Sequence, residues 1–223
     1  MKFDIITIFP NIFSSYLNES ILKRAQKNKL LNIKIHNLRD FAKDKHKKVD
    51  DRPFGGGPGM VFKIEPIIKA ISDIKSKVLK KKTIIILFNA DGKQFDEKMA
   101  QKLVKEEQLV MICGRYEGVD GRVKKAIKDL GFKVQEISIG PYVLTGGELP
   151  AMVLIDSISR KISGVLGKTE SLEEKRLGVG VPTYTRPDVF IYKGKKYQVP
   201  KVLLSGNHAE IEKWKKSRLR NTK

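Results

Sequence analysis

The chain has 223 residues, 40% of them hydrophobic and 31% charged, with a formal net charge of +20. That apolar content suffices for a real core, in one large domain or one plus a small annex, and excludes a disordered tail. The charge points to a polyanionic partner, nucleic acid first, although a lysine-rich excess of this kind also decorates solvated faces.

In chain order, the first element is "FDIITIF" (3–9), short and Ile-rich. Asp4 interrupts its apolar run, Pro10 ends it, and no small-residue cleavage site follows, so it reads as a buried strand and not as an export signal. Basic residues then concentrate from Lys23 to Arg52. "DDRPFGGGPGM" (50–60) fails as a phosphate-binding P-loop, because Gly59 is followed by Met60 and Val61 where a lysine and a hydroxyl are needed. Five consecutive glycines or prolines at 55–59 suit a mobile binding loop that a ligand approaches closely.

Residues 64–75 predict a helix, "TIIILF" (83–88) a strand, 95–106 a helix and "QLVMIC" (108–113) a strand. Cys113 is the only cysteine, which rules out an internal disulfide and fits a reducing cytoplasm. Ending a buried run, it reads as a core residue and not a nucleophile. "CGRYEGVD" (113–120) is a glycine-bracketed turn, and Val119, Val123 and Ile127 mark a helix over 119–130. "KVQEISI" (133–139) is a fourth strand. "SIGPYVLTGGELPAM" (138–152) is rich in glycine and proline around one carboxylate, and "LPAMVLIDSISRKI" (149–162) is a core or interface helix, apolar on most of its circumference. Residues 163–187 read as a linker; within them "GVGVPT" (178–183) imitates a dinucleotide fingerprint but lacks its third glycine. A short basic helix capped near Asn207 ends the chain, with a second basic cluster from Lys213 to Lys223. No apolar run approaches the ~20 residues of a membrane helix.

The alternation of strands and helices predicts an α/β domain with a largely parallel sheet. Ligands gather beyond the carboxyl ends of such strands, so the loops after 88, 113 and 139 are expected to converge on one site. The loop at 138–152 has no lysine or hydroxyl at phosphate spacing. It offers backbone groups beside Tyr142, Val143 and Leu144, a surface suited to a flat neutral heterocycle, of which adenine is the commonest.

Taken together, "DDRPFGGGPGM", "CGRYEGVD", "SIGPYVLTGGELPA", "LIDSISR", "GVLG", "YTRP" and "VLLSGNHAEI" resemble, in order and over nearly the whole chain, the bacterial tRNA (guanine-N1)-methyltransferase (TrmD) family of the SPOUT class. The resemblance implies a SPOUT-type parallel sheet with a deep trefoil knot, a small, shortened helical C-terminal domain, an obligate homodimer and S-adenosylmethionine as cofactor. It implies methyl transfer to N1 of the guanine at position 37 of tRNA; no residue is assigned as a metal ligand, and neither a membrane nor DNA is expected as a partner. The corresponding boundaries are 1–163 for the knotted catalytic domain, 164–181 for a linker and 182–223 for the basic C-terminal domain.

By the same resemblance Ile139, Gly140, Pro141, Tyr142, Val143 and Leu144 form the knot loop around the adenosine end of the cofactor, with Leu87 and Gly114 alongside. Pro141 stands where the family usually has Asp and removes one N–H donor, leaving Gly140, Tyr142 and Leu144 able to donate. Guanine N1 carries a proton, so the reaction needs a carboxylate base and a cation near O6. Arg160 matches the family's catalytic arginine, though an i, i+4 ion pair with Asp156 is open to it as well. Tyr116 and Glu117 resemble residues of the guanine pocket, and Ser171 falls on a family serine. The family's basic Asp is missing: ungapped counting from Arg160 lands on Lys175, beside Glu174 and Glu173. Glu174 is the first candidate for the base and Glu173 the second, against the alternative of a solvated charge pair. A knotted RNA-binding protein with impaired catalysis, or a SPOUT methyltransferase with another RNA target, are the competing readings.

Overall fold

The computed structural model describes residues 1–77, 82–167 and 181–218, in two compact units, Met1–Leu166 and Gly167–Lys223. The first is built on five parallel strands: β1 (Lys2–Thr7), β2 (Asn32–Asn37), β5 (Thr83–Gln94), β6 (Gln108–Ile112) and β7 (Lys133–Ser138), in the order β2-β1-β6-β5-β7. A short antiparallel pair, β3 (Asp50–Asp51) with β4 (Val61–Phe62), lies outside that sheet.

Both faces of the parallel sheet are covered at its centre, which is why the inner strands β1, β6 and β5 read as apolar runs. Side chains alternate between two cores. Phe3, Ile5, Ile84, Ile86, Leu109 and Met111 pack with α2 (Ser20–Lys27), α4 (Glu97–Leu103) and α6 (Glu148–Ser159). Ile6, Ile85, Leu87, Val110 and Ile112 pack with α3 (Ile64–Lys77) and α5 (Val123–Asp129). A further short helix, α1 (Ser14–Leu17), follows a 3-10 turn at Pro10–Phe13. α4 begins where the Asp96 carboxylate accepts the Met99 N–H at 2.7 Å, a side-chain cap.

Sequence reasoning found β1, β5, β6 and β7 but not β2. "NIKIHN" is a half-exposed edge strand, too polar to read as a buried run. The expected loop after 88 is instead a bulge. Phe88 and Lys93 both pair opposite Ile137, residues 89–92 loop out, and β5 resumes to Gln94. Gly92 lies so close to the Ile137 backbone that a Cβ there would come within 2.7 Å of the nitrogen.

Among its described residues the second unit adds two strands to the helices expected of it. It opens with a β-hairpin, β8 (Val189–Tyr192) and β9 (Lys195–Gln198), followed by α7 (Lys201–Leu204) and α8 (His208–Ser217). The hairpin went unread because its residues, VFIYKGKKYQ, lack a turn dipeptide such as Asn-Gly; Lys193 takes the left-handed place that asparagine usually fills. At α8 the Asn207 side chain accepts the Glu210 N–H at 3.3 Å, the expected cap.

Candidate active site

β6, β5 and β7 are neighbours, so their carboxyl ends deliver three segments to one edge of the sheet. Two of them are joined backbone to backbone. The Gly147 N–H donates to the Gly114 carbonyl at 3.0 Å, and Arg115 bridges Gly146 in antiparallel fashion. Gly147 must be glycine for packing and not for φ, since a Cβ would stand 2.7 Å from the Cys113 Cα.

The loop from Ile139 to Leu144 is held by its own bonds. Ser138 Oγ donates to the Gly140 carbonyl at 2.8 Å and accepts the Gly140 N–H at 3.2 Å; the Tyr142 N–H donates to the Gly140 carbonyl at 2.9 Å. Two of the three donors expected to face a ligand, Gly140 and Tyr142, are therefore engaged within the loop. The Leu144 N–H has no partner among the described residues. Tyr142, Val143 and Leu144 project outward, Val143 being 86% exposed, and Pro141 is exposed beside them. This cradle of backbone and apolar side chains, with no charge of its own, fits a neutral heterocycle. Leu87 lies beneath it in the sheet, paired with Ile112 and Glu136.

One carboxylate anchors the loop. Glu148, 2% exposed, accepts from Thr7 Oγ1 at 2.8 Å and from Arg115 Nε at 2.9 Å. Thr7 Oγ1 in turn accepts the Phe9 N–H, and the Arg115 guanidinium lies 4.9 Å from the centre of the Phe9 ring. Sequence reasoning missed this network; the signal was the single acid in an otherwise uncharged loop. Cys113 lies fully buried beside it. Burial, with the nearby Glu148 carboxylate, pushes its thiol well above the usual range, so it is a core residue as expected.

The other wall comes from the turn after β6. Tyr116 is exposed, takes a left-handed φ of 57°, and meets Phe62 edge-on at 6.2 Å. The Glu117 N–H donates to the Met60 carbonyl, and its carboxylate lies where a Cβ on Gly59 would come within 2.8 Å. The turn is thereby stitched to the 55–59 loop, in which Gly55, Gly56, Gly57 and Gly59 all have positive φ. Beyond it opens a cavity of 1780 Å³, lined among others by Lys43, Lys48, Arg52, Phe54, Lys63 and Arg122.

Arg160 caps the C-terminal end of α6. Its expected i, i+4 partner Asp156 faces Tyr16; burial and this hydrogen-bonded carboxylate push the Tyr16 phenol above its ordinary range. Glu173, Glu174, Ser171 and Lys175 lie outside the described residues. Among the described residues no group of three or more metal-ligating side chains comes together, and no helix is long and apolar enough to cross a membrane.

A family model described as "tRNA (Guanine-1)-methyltransferase TrmD" matches residues 1–223. Among curated proteins, the tRNA (guanine-N(1)-)-methyltransferase of Ruminiclostridium cellulolyticum is 50% identical over 96% of this chain and 89% of its own length. That of Citrifermentans bemidjiense is 50% identical over 100% of this chain and 86% of its own length, and that of Dictyoglomus turgidum 49% over 97% and 84%.

Proposed function

The chain belongs to the tRNA (guanine-1)-methyltransferase family and is a tRNA (guanine-N1)-methyltransferase; from that premise we propose how it works, with S-adenosylmethionine as donor and N1 of guanine 37 as acceptor. The observation that carries the reading is the junction of Gly147 with Gly114, which sets the uncharged loop 139–144 against the turn bearing Tyr116 and Glu117.

The loop would hold the adenine through the Leu144 N–H and the apolar side chains of Tyr142, Val143 and Leu144, with Ile139, Gly140, Leu87 and Gly114 shaping its floor. The donor supplies an electrophilic methyl group on a sulfonium. Tyr116 and Glu117 flank the guanine, the ring offering a stacking face and the carboxylate a hydrogen-bond acceptor for the base edge. Arg160 stabilises the negative charge that develops at O6 as the N1 proton leaves. Glu174, with Glu173 second, takes that proton; a carboxylate suits the role, and a lysine at Lys175 is protonated near neutrality unless strongly desolvated. Ser171 supports the substrate from the same segment.

A homodimer completes the site in this reading. Phe9, Ile12 and Tyr16 on the segment after β1, and Leu149 and Val153 on α6, are all large and exposed, and the two elements adjoin. Exposed apolar surface of this kind marks an interface. Six Lys and Arg against four Asp and Glu leave the lining of the 1780 Å³ cavity net positive, which suits RNA phosphates. The decisive experiment incubates the protein with S-adenosylmethionine and a tRNA transcript carrying guanine at position 37, then analyses its nucleosides by mass spectrometry. N1-methylguanosine at that position is the expected product; unmodified RNA, or methyl groups elsewhere, overturns the reading.

A further inference from the structure

The β8–β9 hairpin places its largest side chains where no core covers them. Its register pairs Phe190 with Tyr197 and Tyr192 with Lys195, so these four residues share one face of the ribbon. Phe190, Tyr192 and Tyr197 are each more than half exposed. The Phe190 and Tyr192 rings lie nearly parallel, 9° apart in plane with centroids 6.3 Å apart, and Tyr197 stands 6.2 Å from Phe190 at 36°. The tip is fixed by a two-residue turn in which Lys193 and Gly194 both have positive φ, 48° and 75°. Such a turn matches the twist of the strands and pins their register.

Charge surrounds the rings. Lys193 lies with its ammonium 5.5 Å from the Tyr192 ring centre, and Lys195 and Lys196 follow in β9. The single acid nearby is Asp188, at the base of the hairpin, where its side chain accepts the Val189 N–H. Protein interfaces are enriched in aromatic residues but depleted in lysine at their cores. Aromatic rings interleaved with lysines on an exposed ribbon are instead the surface that single-stranded nucleic acid uses, because every base has a face to stack and every nucleotide a phosphate to neutralise.

We propose that the Phe190–Tyr192–Tyr197 face of this hairpin stacks unpaired bases of the tRNA substrate, while Lys193 at the tip and Lys195 on the same face hold the adjoining phosphates. The proposal rests on the tRNA reading above and adds a second RNA contact, in the C-terminal unit, that the methyl-transfer chemistry does not require.

The test measures affinity of the full-length protein for an unmodified tRNA transcript over a range of salt. Phe190→Leu, Tyr192→Leu and Tyr197→Leu keep an apolar side chain but remove the ring. Loss of one stacked base weakens binding about tenfold, so Phe190→Leu and Tyr192→Leu are expected to bind about tenfold more weakly with an unchanged salt slope. Lys193→Gln and Lys195→Gln should each flatten the slope of log affinity on log salt by about 0.7, the single-strand value per phosphate. Affinity for S-adenosylmethionine, and single-turnover methyl transfer at saturating tRNA, should stay at the parent level in all five. As a check free of any folding defect, 4-thiouridine-substituted tRNA should cross-link to residues 188–198 of the parent protein. Leucine variants that bind like the parent, or a cross-link map that omits the hairpin, overturn the proposal. So does a variant that turns the dimer into a monomer at unchanged RNA affinity, since the face would then be a protein contact. If the parent binds no tRNA, the functional reading falls as well; if it binds and methylates while the leucine variants match it, this inference alone falls.

Discussion

Arg115 and Glu148 form an ion pair at 2.9 Å that ties the turn after β6 to the first turn of α6. Both carboxylate oxygens of Glu148 are used, the second by Thr7 at the end of β1, so one side chain fastens three strand-end segments together. Removing one partner of a buried pair leaves the other charged and unsatisfied, at a typical cost of ~3–5 kcal/mol. Glu148→Ala should therefore lower the melting temperature of the protein by about 10 °C, at ~2–4 °C per kcal/mol for a chain of this size, and weaken S-adenosylmethionine binding through a loosened loop. Thr7→Val, which removes one hydrogen bond to that carboxylate and no charge, should cost less, ~1.5–3 kcal/mol. Calorimetry of both variants, in unfolding and in titration, checks the ranking; equal effects would deny Glu148 its anchoring role.

Gly140 and Gly147 should respond in opposite ways. At Gly140 a methyl group would meet the far end of the Tyr142 ring at 2.3 Å, and that ring is exposed and free to turn. Gly140→Ala should keep nearly full stability but displace Tyr142 and reduce cofactor affinity; Gly140→Val should abolish binding. At Gly147 the methyl meets the Cys113 backbone at 2.7 Å, which cannot turn aside. Gly147→Ala should cost ~1–3 kcal/mol of stability, the usual penalty of overpacking. Thermal melts and titration calorimetry with S-adenosylmethionine separate these outcomes, and a stable Gly147→Ala protein would be inconsistent with the junction described.

Acid stability should depend on Asp4. Its carboxylate is fully buried in β1, which pushes its pKa up, but hydrogen bonds from His36 at 2.8 Å, Gln108 at 2.7 Å and Lys2 at 3.0 Å outweigh that and hold it below its ordinary 3.8. A carboxylate with a lowered folded pKa contributes stability that is fully present above 3.8 and lost as pH falls through the folded value. Urea unfolding of the parent should show stability declining below about pH 4. Asp4→Asn should be less stable at neutral pH, by ~3 kcal/mol for the uncompensated Lys2, with a shallower decline in acid. A parallel decline in the two proteins would assign the acid sensitivity elsewhere.

The base assignment is tested by single-turnover methyl transfer with saturating cofactor. Glu174→Gln should slow the step by ~10²-fold or more, the scale of a lost general base, with cofactor binding intact. Arg160→Ala should do the same through O6. Glu173→Gln should matter less and Lys175→Ala should be mild. If both glutamate variants turn over at the parent rate, the proton goes to another group, with Glu117 next in line.

What could be read in the sequence follows from where each signal resides. Strands buried on both faces announce themselves as Ile-rich apolar runs, so β1, β5 and β6 were legible; of the two half-exposed edge strands, β7 was legible from its apolar end and the more polar β2 was not. The close packing of Gly59 against the Glu117 side chain and of Gly147 against the Cys113 backbone was not legible, because the partners lie about 30 to 60 positions away and only the fold brings them together. Glu148 could be seen as a lone acid but not as an anchor, since Thr7 stands 141 positions earlier. The bulge at 89–92 was hidden because nothing local distinguishes a looped-out tetrapeptide from the end of a strand.

That separation of 141 positions also sets a timetable for the molecule's own synthesis. At about 5–20 residues per second, Thr7 leaves the ribosome some 7 to 28 seconds before Glu148. β1 waits almost as long for β6, the neighbour that completes its pairing. Through that interval a strand destined for complete burial, and carrying a charged Asp4, has β2 as its one available parallel partner. Nascent chains of this protein are thus obliged to pass through a long, incompletely paired stage, and ribosome-bound trigger factors or other holding chaperones should find their substrate among chains shorter than about 150 residues.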